Sequence, residues 1–164
     1  MPFEALGKDA LGRDLFFCGI ASPADVGVAK WPPPHFVVLL VWHADGVSTE
    51  VVSGLVEELF NRGASYLCTW GRDCERVHDV AEETDAFPSE LASPEDAVRL
   101  TTWHTDDSLE EVVDFLLRST VPNAYYAPTT TTSLVLCIGD DALAHATRQA
   151  LIGSRDRLDV SGTT

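Results

Sequence analysis

The chain has 164 residues and is 45% apolar, enough to bury one core without disulfides or metals. Its 26 acidic residues against 11 basic give a formal charge of −15. That sign opposes nucleic-acid backbones and anionic membranes, which both need Lys or Arg to displace counterions, and it suits basic partners or metal cations. No apolar run approaches the ~20 residues of a membrane span, and the N-terminus lacks a basic-then-apolar signal pattern. Cys18, Cys68, Cys74 and Cys137 form no C-x-x-C pair. A cytoplasmic protein with reduced thiols is expected.

Residues 1–34 are mixed and punctuated by Gly and Pro, and "WPPPH" holds an extended approach; an N-terminal arm packed on the domain is expected. "HFVVLLVW" (35–42) is a continuous β-branched run, as for a strand buried on both faces. "VSTEVVSGLVEELF" then places Val51, Val52, Leu55, Val56 and Leu59 on one helical face, closed by Asn61 and Gly63. "ASYLCTW" (64–70) predicts a second strand, followed by a helix from about Asp73 to Glu83 with Cys74, Val77, Val80 and Ala81 as its stripe. "TDAFPSELASPED" reads as a loop and "AVRLTTWH" (97–104) as a third strand. "SLEEVVDFLLRS" turns Leu109, Val112, Val113, Leu116 and Leu117 inward. "SLVLCIG" (133–139) is a fourth strand and "DDALAHATRQAL" the last helix, with a flexible tail at 154–164.

Strand and helix alternate four times. The expected fold is α/β: a three-layer sandwich around a mainly parallel four-stranded sheet, in the flavodoxin-like order 2-1-3-4. Residues 35–153 would form its single domain.

Three strands end alike, in "VWHAD", "TWGRD" and "TWHTD". In such sheets ligands sit at the carboxyl ends of the strands. In order 2-1-3-4, His43 and Asp45 would face His104 and Asp106, with Asp73 and Cys74 one strand away. Two imidazoles and several carboxylates suit a divalent metal, which could activate water for hydrolysis. Trp42, Trp70 and Trp103 could line a pocket there or pack the sheet edge. Cys74, in the first turn of a helix, could serve as a thiol nucleophile with His104 as base, or as a buried packing residue. An Asp before a helix is also a favoured N-cap, and "DSLE" and "SLEE" both match a capping box. Ser48 can cap the first helix and Asp107 or Ser108 the third, which leaves Asp45 and Asp106 over. No P-loop, dinucleotide fingerprint, nucleophile elbow or zinc-finger spacing occurs.

Fourteen acidic residues lie between Asp73 and Asp114, opposed by Arg76 and Arg99. In order 2-1-3-4 the second and third helices would share one face and give it a strong negative potential.

"YLCTWGRDC" and "RLTTWHTDDSLEEV" resemble an uncharacterised bacterial family, one of the domains of unknown function. Its marks are a Trp-Gly-x-Asp-Cys stretch and a Thr-Thr-Trp-His-x-Asp stretch followed by an acidic amphipathic helix. The resemblance covers about residues 35–152. It marks Trp70, Gly71, Asp73, Cys74, Trp103, His104 and Asp106, and leaves His43 and Asp45 unmarked. It implies a fold and no activity.

Charge and missing catalytic signatures together predict an accessory or binding protein that engages a basic protein partner, in the manner of an immunity protein or antitoxin. The alternative is a small metal-dependent hydrolase using Asp73, His104 and Asp106 with His43 and Asp45. A Cys74 thiol enzyme is a third reading.

Overall fold

The computed structural model describes residues 3–28, 31, 34–85 and 98–161. Its elements are β1 (Glu4–Lys8), β2 (Asp14–Ile20), a 3-10 helix (Pro23–Val28), β3 (His35–Trp42), α1 (Thr49–Arg62), β4 (Ala64–Trp70), α2 (Cys74–Asp85), β5 (Leu100–Trp103), α3 (Leu109–Ser119), a second 3-10 turn (Ala127–Thr129), β6 (Thr130–Ile138) and α4 (Asp141–Ser161). Most of the loop expected before β5 lies outside the described residues.

Among the described residues the sheet has six strands, not four, in the order β1-β2-β6-β3-β4-β5. The four expected strands are β3, β4, β5 and β6, so their order is 4-1-2-3 rather than 2-1-3-4. β3 lies between β6 and β4, in parallel register with both. The two further strands come from the segment expected as an arm. β2 pairs in parallel with β6 along its whole length, Asp14 opposite Thr132 to Ile20 opposite Ile138, and β1 returns antiparallel to β2.

Crossover handedness accounts for where the helices lie. The steps from β3 to β4 and from β4 to β5 run in one direction, so right-handed connections put α1 and α2 on one face. The step from β5 back to β6 is reversed and carries α3 to the other face, where α4 joins it. The two cores record this. Val38, Leu40 and Trp42 pack with Leu55 and Leu59 of α1 and Val77 and Ala81 of α2. Val37, Leu39 and Val41 pack with Val113 and Leu116 of α3 and Leu151 of α4. The second and third helices therefore lie on opposite faces.

Ser48 caps α1, and Gly63 ends it at φ 114°. The expected apolar face of α1 is buried except at Val51, and Phe60 is buried with it. α4 runs past the expected tail boundary because Leu158 continues the inner stripe of Leu151, and buried Ser154 donates to Asp114. No helix among the described residues is long and apolar enough to cross a membrane.

A buried polar knot ties the β1–β2 turn to α3. Arg13 Nε is 2.6 Å from Asp9 Oδ2, with both side chains almost wholly buried. The Arg13 fork also donates to Thr120 O at 2.6 Å and Thr120 Oγ1 at 2.8 Å, and Ser133 donates to Asp9.

Candidate functional site

Among the described residues, two clefts open at the carboxyl ends of the strands. The first, of 420 Å3, lies over the end of β4 and is lined by His43, Trp70, Asp73, Cys74, His104 and Asp107, among others. The second, of 610 Å3, lies at the paired ends of β3 and β6, whose following connections leave to opposite faces, and is lined by Trp42, Arg72, Ile138, Asp140 and Ser22 among others. The observed order puts the topological switch point at that second cleft. His43 and Arg72 line both clefts. His43 and His104 thus share a cleft although β4 separates their strands.

The loop after β4 is set by Gly71 at φ 124°. A Cβ there would meet Trp42 O at 2.2 Å, so the close passage of this loop over the end of β3 needs glycine. Asp73 follows with φ 64°. Ala44 N–H donates to Arg72 O at 3.0 Å, which fastens the two strand-end loops together.

His104 is held at both ring nitrogens. Nδ1 donates to Asp107 Oδ2 at 2.7 Å, since a carboxylate can only accept, and Nε2 lies 2.9 Å from Thr102 Oγ1. Its ring packs on Phe115 at 4.7 Å. The carboxylate that holds it is Asp107; Asp106 is exposed. Hydroxyl, imidazole and carboxylate stand in a line here, as in nucleophilic hydrolases. Thr102, however, is not part of the cleft lining, and its place in mid-strand puts its hydroxyl beside the core.

Two other carboxylates of the expected set face arginines. Asp45 pairs with Arg72 at 3.1 Å and Asp73 with Arg76 at 2.6 Å. Arg76 also donates to Ala44 O and Val47 O, each at 2.8 Å, so it buttresses the loop after β3. His43 Nδ1 accepts from the Arg72 backbone N–H at 2.9 Å, which places the proton of the neutral ring on Nε2. Burial, with the Arg72 charge beside it, lowers the His43 pKa. Arg72, Arg76, Asp107 and Thr102 were not among the expected site residues. Asp107 could have been found from its spacing, three residues beyond His104 in a strand-to-helix turn.

Cys74 is buried, its Sγ 3.7 Å from Thr105 Oγ1, and it lines the same cleft as His104. Burial pushes the Cys68 thiol up to about 12 and also raises Cys18 and Cys137. The three tryptophans do not share one pocket. Trp42 is buried and borders the second cleft, and Trp70 borders the first and donates to Asp107 O at 2.9 Å. Trp103 stands apart, over His78 on the α2 face.

The expected metal set is divided by these ion pairs. Among the described residues, the group of three His, Cys, Asp or Glu whose ligand atoms converge within 4.8 Å is His78, Asp79 and Glu82. His78 is already engaged there, through Nδ1 with Thr101 at 3.1 Å and Nε2 with Glu82 at 3.4 Å.

A search of curated proteins finds no match. Among solved structures, the chain is similar to a domain from a protein named as a UDP-N-acetylmuramate:L-alanyl-gamma-D-glutamyl-medo-diaminopimelate ligase of Haemophilus ducreyi 35000HP. The identity is 15% and the TM-score 0.43, over 92% of this chain and 97% of that one. A family model matches residues 17–154, which include both expected signature stretches, so the chain belongs to the family described as Domain of unknown function (DUF7684).

Proposed function

We propose that the protein is an acidic α/β binding module that engages a basic protein partner through its α1/α2 layer, as an immunity protein or antitoxin does. One observation carries this reading. Three arginines of that layer are already matched, Arg62 to Glu58, Arg72 to Asp45 and Arg76 to Asp73, and Arg99 lies over the Phe60 ring. Glu50, Glu57, Glu75, Asp79, Glu82 and Glu83 meanwhile stand exposed on the same two helices. The layer therefore projects negative potential outward, which steers and orients a cationic partner.

The alternative, a metal-dependent hydrolase built on His43, Asp45, Asp73, His104 and Asp106, has less support. A cation there would have to displace Arg72 and Arg76 from their carboxylates and free a His104 nitrogen from its partner. The Cys74 reading is weakened by burial of that thiol.

The test compares the wild type with a variant carrying Glu75→Gln, Asp79→Asn, Glu82→Gln and Glu83→Gln, both used as bait in extracts of the native cells. A basic partner retained by wild type at low salt, released at high salt and lost from the variant is the expected result. Retention that ignores both salt and the four substitutions would refute the reading.

A further inference from the structure

We infer that the outer edge of β5 receives an extended basic segment of the partner, paired as a seventh strand beside Trp103; this rests on the acidic-layer reading above. Among the described residues the sheet has two ends, and they differ. β1 closes one end with Glu4 and Lys8, each in an ion pair, to Arg148 and to Asp14. Charges on an edge strand discourage further pairing. β5 closes the other end with Leu100, Thr101, Thr102 and Trp103 and carries no charge at all.

The backbone direction of β5 follows from its inner contacts. His104 N–H donates to Thr69 O at 3.0 Å, and Thr69 Oγ1 donates to Thr102 O at 3.3 Å. Residues 102 and 104 therefore face β4. By alternation, Thr101 and Trp103 turn their N–H and C=O groups outward, where they meet no described strand. An extended segment could take up these groups, as in other strand-addition complexes.

The side chains beside this edge suit a cation. Trp103 is 46% exposed, a large value for an indole. Its ring lies 4.4 Å from that of His78, and the ligand atoms of His78, Asp79 and Glu82 all lie within 4.8 Å of one another. Buried His78 thus props the indole on one side and holds a carboxylate on the other. An exposed aromatic face next to two carboxylates fits a guanidinium or ammonium group. The occupant this edge selects is therefore an extended strand with Arg or Lys at alternate positions.

The experiment uses the full chain, isotope-labelled, and two short synthetic peptides of equal charge. One alternates Arg with Val and Thr. The other has Pro at the alternate positions and cannot form a ladder. Amide hydrogen exchange is followed at Thr101 and Trp103 at low salt. Protection of both amides by the first peptide and not the second is expected, with binding weakened about fivefold in Trp103→Ala. Binding of both peptides without protection would overturn the strand-docking inference and leave the acidic-layer reading standing. Protection of these amides already in the free protein would overturn it too, since the chain itself would then fill the edge. No binding by either peptide would overturn the acidic-layer reading and the inference together.

Discussion

Gly71 carries the geometry of the strand-end loops. Its φ of 124° and the 2.2 Å approach of a built Cβ to Trp42 O leave no room for a side chain. Gly71→Ala is expected to cost about 3 kcal/mol, read as a lower urea midpoint at unchanged slope. His43 gives this region a pH dependence. Its pKa is lowered from 6.5 by burial and by Arg72, so the folded chain binds fewer protons there than the unfolded chain. Its contribution is then complete above pH 6.5 and declines as the pH falls below that value. His35, also lowered by burial, adds to the same trend. His43→Gln should flatten the decline in urea midpoint between about pH 7 and about pH 5 without abolishing it. An unchanged slope would show that His43 titrates alike in both states. At this scale the sequence was partly legible. "TWHTDD" located His104 and offered two carboxylates, and the turn geometry brings the one three residues on, Asp107, to its ring.

Secondary elements with strong local patterns were the ones that could be read. α3 has four inward apolar residues, and its Ser108–Glu111 capping box forms as expected. β3 and β4 were visible as unbroken apolar runs, because each is covered on both faces. β1 and β2 were hidden because the Gly and Asp residues between them resemble loop composition. What fixes them is tertiary: β2 lies along β6, and Arg13 is inserted between Asp9 and the end of α3. This knot makes a sharp prediction. Arg13→Met leaves the Asp9 carboxylate buried without its cation and should cost about 3–5 kcal/mol in equilibrium unfolding. Arg13→Lys should recover part of that and not all, because one ammonium cannot serve Asp9, Thr120 and Leu116 together. Equal losses in the two variants would mean that a cation without the fork contributes nothing, and no loss in Arg13→Lys would mean that the fork geometry is immaterial. Strand order was illegible for a related reason. An apolar run records that a strand is covered, and says nothing about which neighbour lies beside it.

Across the whole molecule, one charge distribution acts in two opposite directions. A chain with a formal charge of −15 repels itself when compact, and the repulsion is strongest where exposed carboxylates crowd α1 and α2. Raising ionic strength from about 0.01 to 0.15 M shortens the screening length from about 30 to 8 Å. Neighbouring exposed carboxylates are then screened from one another, while the buried Asp9–Arg13 pair is scarcely affected. Added NaCl should therefore raise the melting temperature, by a few degrees for a domain of this size. The same screening removes the long-range attraction for a basic partner, so the association rate should fall over that range. The variant with Glu75→Gln, Asp79→Asn, Glu82→Gln and Glu83→Gln should show a smaller salt response in both measurements, with higher stability at low salt and slower association. If salt stabilised the fold and left association with the partner unchanged, the acidic layer would be a solvated surface, and the partner would have to be sought at the clefts.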